Sequence, residues 1–484
     1  MKKSLAWNTV IYTLKSVLGI LFPLITFPYI SRVLGPENLG KVEYANSISN
    51  YFVFFAALGI ATYAVRTGGR MKHDRKELSK LATELFLINC GSTILAYAGI
   101  FIICRINPIA NYGILIFINS LTIICNTIGM EWVYNVAEDF TYITVRYIIV
   151  QTFAVLFLFI FVRKPEDYVF YSIYILIANG CSGIINAISL RKYVDLFHCK
   201  FKDLEIRRHL KPIFLLFSIS IVSTIFSNLD TTMLGTMCGD AEVGLYQAGM
   251  KIDRVVLGVI AAISTVMFAR VSAISAEGEE HEYSELISNF NGLMMLVAAP
   301  LSFGLSCISR NITDILFADG FAKSGTVLMI ISFNIISSAI GRVYGHQILL
   351  SKGKDGMFFW ITTASLGINI GINVLFIPTL GCIAAAISTV FANFIACVLD
   401  VFFASKILDI KPMLQETFRF SLISSAFFII EFLLRCLLGR NLLQMVGTIV
   451  ICVTYYIATL YLLKDKYLLS MVDLAKSKLG GKHT

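Results

Sequence analysis

Charged residues are scarce in this sequence, because Asp, Glu, Lys and Arg make up only 15% of its 484 residues, against about 25% in soluble domains. Hydrophobic residues make up 57%, and the mean hydropathy is +0.77. A water-soluble fold of this length could not bury so much apolar surface. The composition therefore excludes a soluble protein and predicts a chain that is embedded in a membrane.

The motifs of metal, redox and nucleotide sites are missing as well. None of the eleven cysteines forms a C-x-x-C pair, and no two histidines have zinc-ligand spacing with acidic partners. Segment 35–41 has the spacing of a phosphate loop, but Val42 stands where Ser or Thr would ligate magnesium. The loops are too short for an extramembrane catalytic domain. We therefore expect no enzyme activity, no metal, no nucleotide site and no nucleic-acid partner.

Apolar blocks recur along the chain at about the 20-residue length that crosses a bilayer as a helix. Lipid offers the backbone no hydrogen-bond partners, so a spanning chain must be a helix or a closed barrel. The blocks lack the two-residue alternation of barrel strands. We therefore predict an all-α polytopic membrane protein with about 14 transmembrane helices. Their approximate cores are 8–30, 43–65, 81–104, 113–134, 146–162, 168–190, 213–235, 244–270, 289–309, 325–350, 357–377, 381–405, 417–437 and 443–463.

Lys and Arg are unevenly distributed between the two sides of the predicted membrane. They concentrate in the loops 66–80 and 191–212 and in the tail after Lys464. Basic residues in short loops stay on the cytoplasmic side. The bias therefore predicts a multi-pass protein with both chain ends inside.

A weak internal repeat divides the predicted helices into two sets. Placing Gly40 on Gly244 also places Ile48 on Ile252 and Arg66 on Arg270. Repeats of this kind are typical of transporters whose site lies between the two copies. We predict two six-helix lobes around a central cavity, followed by two more helices. The boundaries are 1–212 with a basic inner linker, 213–410, and 411–484 with a cytoplasmic tail.

Polar residues share faces on several predicted spans, where charges are costly and usually face a cavity or a partner. In the eighth span, Gln247, Lys251 and Arg254 lie at i, i+4 and i+7, which is one stripe of a helix. The repeat matches this stripe to Glu43, Ser47 and Asn50 in the second span. Further polar faces are Asn8, Tyr12 and Lys15 in the first span, Ser227 and Asp230 in the seventh, and Ser338 and Arg342 in the tenth.

We interpret these faces as the walls of one water-filled cavity. Its charge balance is cationic, which attracts anions in low dielectric, and Lys and Arg are good phosphate partners. The candidate substrate-binding residues are Lys15, Lys251, Arg254 and Arg342. Asp230 is either a coupling-ion site or a salt-bridge partner. The alternative interpretation is structural, with charges near the span ends that snorkel or pair with one another.

Two segments carry a resemblance to a known family. They are FPYISRVLGPENLG at 27–40, and NLD at 228–230 followed by GLYQAGMKI at 244–252. They resemble Wzx-type polysaccharide flippases of the multidrug/oligosaccharidyl-lipid/polysaccharide exporter superfamily. The resemblance implies a flippase that moves undecaprenyl-pyrophosphate-linked oligosaccharide repeat units from the inner to the outer leaflet of the bacterial cytoplasmic membrane. It also implies alternating access, a product used for O-antigen or capsule, and a polysaccharide polymerase and chain-length machinery as partners.

The resemblance leaves rival functions open. A cation-coupled multidrug exporter of the same superfamily is the main alternative, but such exporters carry an acidic residue in the first span, where this chain has Lys15. A lipid II flippase is a further candidate. A polymerase or ligase would need a large outer loop that the sequence lacks. We expect no cofactor beyond a coupling ion, either a proton or sodium.

Overall fold

The computed structural model describes residues 5–196, 203–277, 280–317 and 319–470. Within these ranges every regular element is a helix. Eleven of the helices are long and apolar enough to cross a membrane, or twelve if one bent pair counts as a single span. The prediction of an all-α polytopic membrane protein is therefore confirmed, while the count of 14 spans stays a prediction.

The chain divides into two compact units, residues 1–247 and 248–484. The sequence places the boundary between its two lobes at residue 212, one helix earlier than this division. The arrangement as two six-helix lobes with two extra helices stays a prediction. Each unit is described below by itself.

The described residues of unit 1 form eight α-helices and the start of a ninth, which continues into unit 2. Short 3₁₀ turns at Ile109–Tyr112, Pro165–Asp167 and Leu190–Lys192 join some of them. The helices are α1 (Leu5–Ala57), α2 (Ile60–Gly68), α3 (Arg75–Ile103), α4 (Gly113–Gly129), α5 (Glu131–Val136), α6 (Phe140–Phe161), α7 (Tyr168–Ser189), α8 (Arg207–Met237) and α9 (Asp240–Glu277).

Across the described ranges of unit 2, the chain forms the rest of α9 and eight further α-helices. A π-helix, Gly341–Leu350, follows the third of these directly. The helices are α10 (Glu280–Leu316), α11 (Ala322–Ile331), α12 (Asn334–Ile340), α13 (Asp355–Leu380), α14 (Cys382–Ala404), α15 (Lys411–Ser425), α16 (Phe427–Leu438) and α17 (Leu442–Leu462).

The long helix α1 contains the first predicted span and most of the second, which continues beyond the end of α1 at Ala57. It bends at Gly35, whose φ of 68° and ψ of 174° are non-helical. This backbone conformation is essentially restricted to glycine. Pro36 follows and supplies a fixed φ that suits the first turn of a new helix. The bend therefore lies inside the segment that carries the family resemblance.

Side-chain caps fix several helix starts outside the apolar blocks. Asp74 accepts hydrogen bonds from the backbone N–H groups of Lys76 and Glu77 and so begins α3. Asp139 caps α6 and Asn441 caps α17 in the same way. Such caps satisfy N–H groups that have no partner within the helix.

The start of α8 is bound to unit 1 by a buried polar cluster. His209 contacts Glu84 Oε2 through Nε2 at 2.7 Å and the hydroxyl of Tyr63 through Nδ1 at 2.7 Å. Arg208 also donates to Glu84 Oε2 at 3.0 Å. Glu84 and His209 are buried, so an unpaired charge here would be costly. These contacts explain why α8 belongs to unit 1 although the sequence places it in the second lobe.

Both units have a buried apolar core and an exposed apolar outer surface. In unit 1 the core includes Leu81, Val133 and Ile213. In unit 2 it includes Phe290 and Phe420. Large apolar side chains are exposed on the outside, among them Trp360 at 70% and Leu462 at 80%. A soluble protein rarely exposes so many such side chains, so these surfaces are suited to lipid.

Candidate functional site

An ion cluster in unit 1 is centred on Glu131. Its Oε1 lies 3.3 Å from Lys15 Nζ, and its Oε2 lies 3.1 Å from Arg146 Nη2. Arg146 also donates to the side-chain oxygen of Asn186. One carboxylate thus faces two cations, so the cluster has a net positive charge. The Arg146 side chain is 3% exposed and that of Glu131 is 44% exposed, which leaves the carboxylate open to solvent or a ligand.

Local backbone geometry places Glu131 in this position. The preceding residue, Met130, has a left-handed conformation with φ 40° and ψ 50°, which ends α4 and begins α5. A side chain is rarely held in this region unless its surroundings require it. Met130 is buried, so packing holds the turn in place.

Asn186, which accepts a hydrogen bond from Arg146, is brought close to the ion cluster by two glycines. An added Cβ on Gly183 would lie 1.9 Å from the carbonyl oxygen of Cys125, and one on Gly129 would lie 2.4 Å from Gly183 Cα. Helices α4 and α7 therefore touch backbone to backbone at this point. Because Asn186 lies one turn beyond Gly183 on α7, the close contact carries its amide to the ion cluster.

A cavity of about 290 Å³ adjoins the cluster in unit 1. Apolar side chains form part of its wall, including Val53 and Ile60. Its polar lining consists of Glu131, the amides of Asn89, Asn126, Asn179 and Asn186, and the hydroxyls of Thr127 and Ser182. Amides both donate and accept hydrogen bonds, and the neighbouring cations pair with phosphate. Lys15 and Arg146 are not among the lining residues and adjoin the cavity through Glu131, so the cavity itself offers amides and hydroxyls to a polar group inside an apolar shell.

The predicted stripe on the second span lies against α7 and α8. Glu43 is buried and accepts a hydrogen bond of 3.1 Å from the hydroxyl of Tyr171. The hydroxyl of Ser47 lies 3.1 Å from that of Thr232. Asn50 Nδ2 donates to Asn228 Oδ1 at 3.2 Å. The stripe predicted on the second span therefore contacts Asn228 and Thr232 of α8, which are not among the residues predicted for the polar face of the seventh span.

The other predicted residues of unit 1 lie on α8 and on the part of α9 that belongs to unit 1. Asp230 is buried and accepts a hydrogen bond of 2.7 Å from the hydroxyl of Tyr246. Gln247 donates to Thr231 Oγ1 at 2.6 Å. Ser227 is exposed and donates to a backbone oxygen one turn earlier. A cavity-lining role for these residues stays a prediction.

Four predicted residues belong to unit 2. Lys251 and Arg254 lie on α9, with Arg254 exposed and Lys251 half-buried. Ser338 on α12 and Arg342 on the π-helix are half-buried, and the buried Nε of Arg342 has no hydrogen-bond partner among the described residues. The side chains of Asn8 and Tyr12 lie outside the described part of the structure. A shared role of these residues with Lys15 in substrate binding stays a prediction.

Sequence reasoning missed Glu131 and Arg146. Glu131 falls near the end of the predicted fourth span, and Arg146 is the first residue of the predicted fifth span. Charges at span ends are usually solvated, so the sequence gives no direct reason to assign either residue to a site. A usable signal was present, since a span-end acid in one helix and a span-end base in the next can pair across a short loop.

The described helices have the fold of a known class of membrane transporter. The lipid II flippase MurJ, in an inward closed conformation, is similar with a TM-score of 0.73 over 95% of this chain and 99% of that chain. The sequence identity of 16% means that this likeness shows the fold alone. The described helices therefore share the fold of MurJ.

The sequence comparisons identify the family within that class. A profile of the polysaccharide biosynthesis protein family matches residues 5–272, more than half of the chain. A putative O-antigen transporter of Escherichia coli K12 is 22% identical over 75% of this chain and 88% of its own. The probable low-salt glycan biosynthesis flippase Agl15 of Haloferax volcanii is 26% identical over 40% of this chain and 41% of its own. The chain belongs to the polysaccharide biosynthesis protein family, and the predicted membership of its Wzx-type flippases is confirmed.

Proposed function

We propose that this protein flips undecaprenyl-pyrophosphate-linked oligosaccharide repeat units from the inner to the outer leaflet of the bacterial cytoplasmic membrane. The units then serve surface polysaccharide synthesis, such as that of O-antigen or capsule. The observation that carries the proposal is the net-positive cluster of Lys15, Glu131 and Arg146 beside an amide-lined cavity, in a chain of this family. A pyrophosphate needs cations, and a glycan needs hydrogen-bonding side chains.

The pyrophosphate and any acidic sugar would be held by Lys15, Lys251, Arg254 and Arg342. Lys15 already pairs with Glu131, whose side chain is 44% exposed. An incoming phosphate would therefore compete with Glu131 for Lys15, while Arg146 keeps the carboxylate in place. Such exchange of one anionic partner for another limits the desolvation cost of binding.

The glycan would cross in a hydrated central cavity while the prenyl chain stays in the lipid. Alternating access with fourteen spans and both chain ends inside is part of this proposal. A coupling ion or the membrane potential would drive the cycle, with Asp230 as a coupling-ion site or salt-bridge residue. The flipped units would pass to a polysaccharide polymerase and its chain-length machinery.

The test is the accumulation of lipid-linked oligosaccharide in a deletion strain. We expect wild type to clear the accumulated units, and the double variant Lys251→Ala with Arg254→Ala to leave them at the inner leaflet. The double variant Lys406→Ala with Lys411→Ala is the matched control, because it removes two exposed basic side chains of the same unit and should behave as wild type.

The rival functions give different results in the same strain. If no lipid-linked intermediate accumulates, the flippase proposal fails. Drug hypersensitivity with normal surface glycan would then indicate a cation-coupled multidrug exporter. Accumulation of lipid II would instead indicate a flippase for the peptidoglycan precursor.

A further inference from the structure

A second cavity lies within unit 2 and takes no part in the site described above. Its volume is about 520 Å³, which is in the range of small-molecule sites. Three segments form it: the start of α10, the turn 351–354 between the π-helix and α13, and the link 405–410 between α14 and α15. All three adjoin candidate membrane spans, and the predicted topology places them on the inner side. The cavity therefore lies where lipid headgroups would surround the protein.

A glycine turn places two lysines on the wall of this cavity. Gly353 has a φ of 69°, in the left-handed region that favours glycine. Its backbone N–H donates to the oxygen of Leu350 at 3.0 Å, and that of Lys354 donates to the oxygen of Leu349 at 2.9 Å. This pattern ends the π-helix in the way that glycine ends many helices. Lys352 and Lys354, on either side of the glycine, both line the cavity.

A buried tyrosine supports one of these lysines. Tyr283 on α10 is buried, and its hydroxyl donates to the backbone oxygen of Gln347 at 3.1 Å. Lys352 Nζ lies 4.4 Å from the centroid of the tyrosine ring, a distance at which the face of the ring attracts an ammonium group. The ring thus holds Lys352 at the cavity without neutralising its charge.

Two carboxylates line the same cavity. Glu280 is on the first turn of α10, and Asp409 precedes α15; both are exposed. Asp409 Oδ1 accepts a hydrogen bond of 3.1 Å from the backbone N–H of Lys411, which fixes its position. Among the described residues, neither these carboxylates nor the two lysines take part in an ion pair. Opposite charges thus line one cavity but lie further apart than the roughly 4 Å of an ion pair.

The separated charges suit a ligand that carries both signs. A phosphate accepts hydrogen bonds from lysine ammonium groups, and a primary ammonium group donates hydrogen bonds to carboxylates. A purely anionic headgroup would meet like charge at Glu280 and Asp409, and a quaternary ammonium group has no N–H to donate. A metal ion fits less well, because the described residues contain no group of three His, Cys, Asp or Glu side chains that could hold one.

Apolar side chains complete the wall of the cavity. Ile407 and Leu408 line it and also pack against the apolar core of unit 2. A soluble ligand would leave this apolar wall in contact with water, whereas the acyl chains of a lipid would cover it. The combination of paired charges, an apolar wall and a place beside the spans therefore favours a lipid.

We propose that this cavity binds a ligand in which a phosphodiester is joined to a primary ammonium group, and that this ligand is a phospholipid such as phosphatidylethanolamine. Lys352 and Lys354 hold the phosphate, while Glu280 and Asp409 hold the ammonium group. The bound headgroup links the start of α10, the glycine turn and the segment before α15. The proposal goes beyond the proposed function and does not depend on which substrate the protein moves.

Native mass spectrometry of the detergent-purified full chain tests the proposal. Phosphatidylethanolamine, phosphatidylcholine and phosphatidylglycerol with the same acyl chains are added in turn, and the affinity for each is measured. We expect phosphatidylethanolamine to bind at least about tenfold more tightly than the other two, because only its headgroup makes charge-assisted hydrogen bonds with both walls. Equal affinity for the three lipids would overturn the proposal.

Charge variants assign the preference to the cavity. Lys352→Ala with Lys354→Ala should remove it, and Lys352→Arg with Lys354→Arg, which keeps both charges, should retain it and so separates loss of charge from loss of folding. The matched control is Lys406→Ala with Lys411→Ala, which removes two exposed basic side chains outside the cavity lining. An equal loss in this control would show that general surface charge, and not the cavity, selects the lipid.

Two further measurements examine the acidic wall and the source of the ligand. Glu280→Gln with Asp409→Asn should abolish the preference for phosphatidylethanolamine over phosphatidylglycerol; a preference that persists would overturn the role of the carboxylates. Glycerophosphoethanolamine carries the same headgroup without acyl chains and should bind more weakly, so equal binding would overturn the assignment to a lipid. Lipid binding is measured without glycan substrate, so its failure and a failure of the flippase proposal are recognised separately.

Discussion

At the scale of single residues, the main finding is that one half-exposed carboxylate organises two cations. Glu131 contacts both Lys15 and Arg146, and Arg146 is also close to the ring of Tyr142, with Cζ 6.0 Å from its centroid. Arg146 is almost completely buried, so its charge depends on these neighbours. The sequence-based candidate Lys15 thus acts as part of a group and not as an isolated cation.

The substitution Glu131→Gln should destabilise the protein by about 1–2 kcal/mol. It leaves the buried guanidinium of Arg146 without its carboxylate, but the loss is smaller than the 3–5 kcal/mol of a fully buried pair because Glu131 is 44% exposed. Thermal unfolding of the detergent-purified protein measures the change. Glu77→Gln is the control, since Glu77 is exposed on α3. Equal stability of Glu131→Gln and wild type would mean that the ion pairs of Glu131 with Lys15 and Arg146 do not stabilise the fold.

At the scale of elements, the two turns that the repeat aligns are in contact within unit 1. A Cβ added to Gly40 would lie 1.7 Å from the backbone oxygen of Asp240 and 2.9 Å from the backbone nitrogen of Gly244. One added to Gly244 would lie 1.9 Å from the oxygen of Pro36. Both glycines are therefore required where α1 meets the start of α9. The sequence match alone did not reveal this reason.

The substitution Gly40→Ala should destabilise the protein by about 3 kcal/mol or more. The added methyl group would overlap backbone atoms, which cannot move aside as a flexible side chain can. Gly91→Ala is the matched control, because Gly91 lies inside α3 with nothing within 4 Å of an added Cβ. That change should stabilise α3 by up to about 1 kcal/mol through helix propensity. Both changes are measured as shifts in the unfolding midpoint, and similar shifts for the two variants would contradict the close contact.

At the scale of the whole molecule, the distribution of basic residues predicts the orientation in the membrane. Arg75 on the 66–80 loop donates to the backbone oxygen of Arg191 at 2.8 Å, so two of the basic segments meet on one side of unit 1. Lys164 follows the C-terminal end of α6. The predicted topology places its loop on the opposite side of the membrane from these basic segments. The side that faces the cytoplasm is a prediction from the charge bias.

Alkaline phosphatase fusions test this orientation. A fusion after Lys72 should be inactive, because the enzyme would stay in the reducing cytoplasm. A fusion after Lys164 should be active, because that loop is predicted to lie outside. A fusion after Lys192 should again be inactive. The reverse pattern would show that both chain ends lie outside and that the basic loops have another purpose.

The sequence by itself determined the class of protein. Long apolar blocks need no tertiary information to predict spanning helices, because the bilayer imposes their length and their hydrogen bonding. The family followed from two short segments whose glycines and prolines set backbone geometry, and the glycine at position 35 indeed bends α1.

Only the tertiary structure decided which charges meet. Glu131 and Arg146 are separated by a short loop, and their pairing depends on the left-handed turn at Met130 and on the close packing of α4 and α7. Asp253 sits beside Arg254 in the sequence, yet one side chain is fully buried and the other is exposed. Neighbours on a helix point in directions about 100° apart, and packing against α11 and α12 selects the direction that is buried.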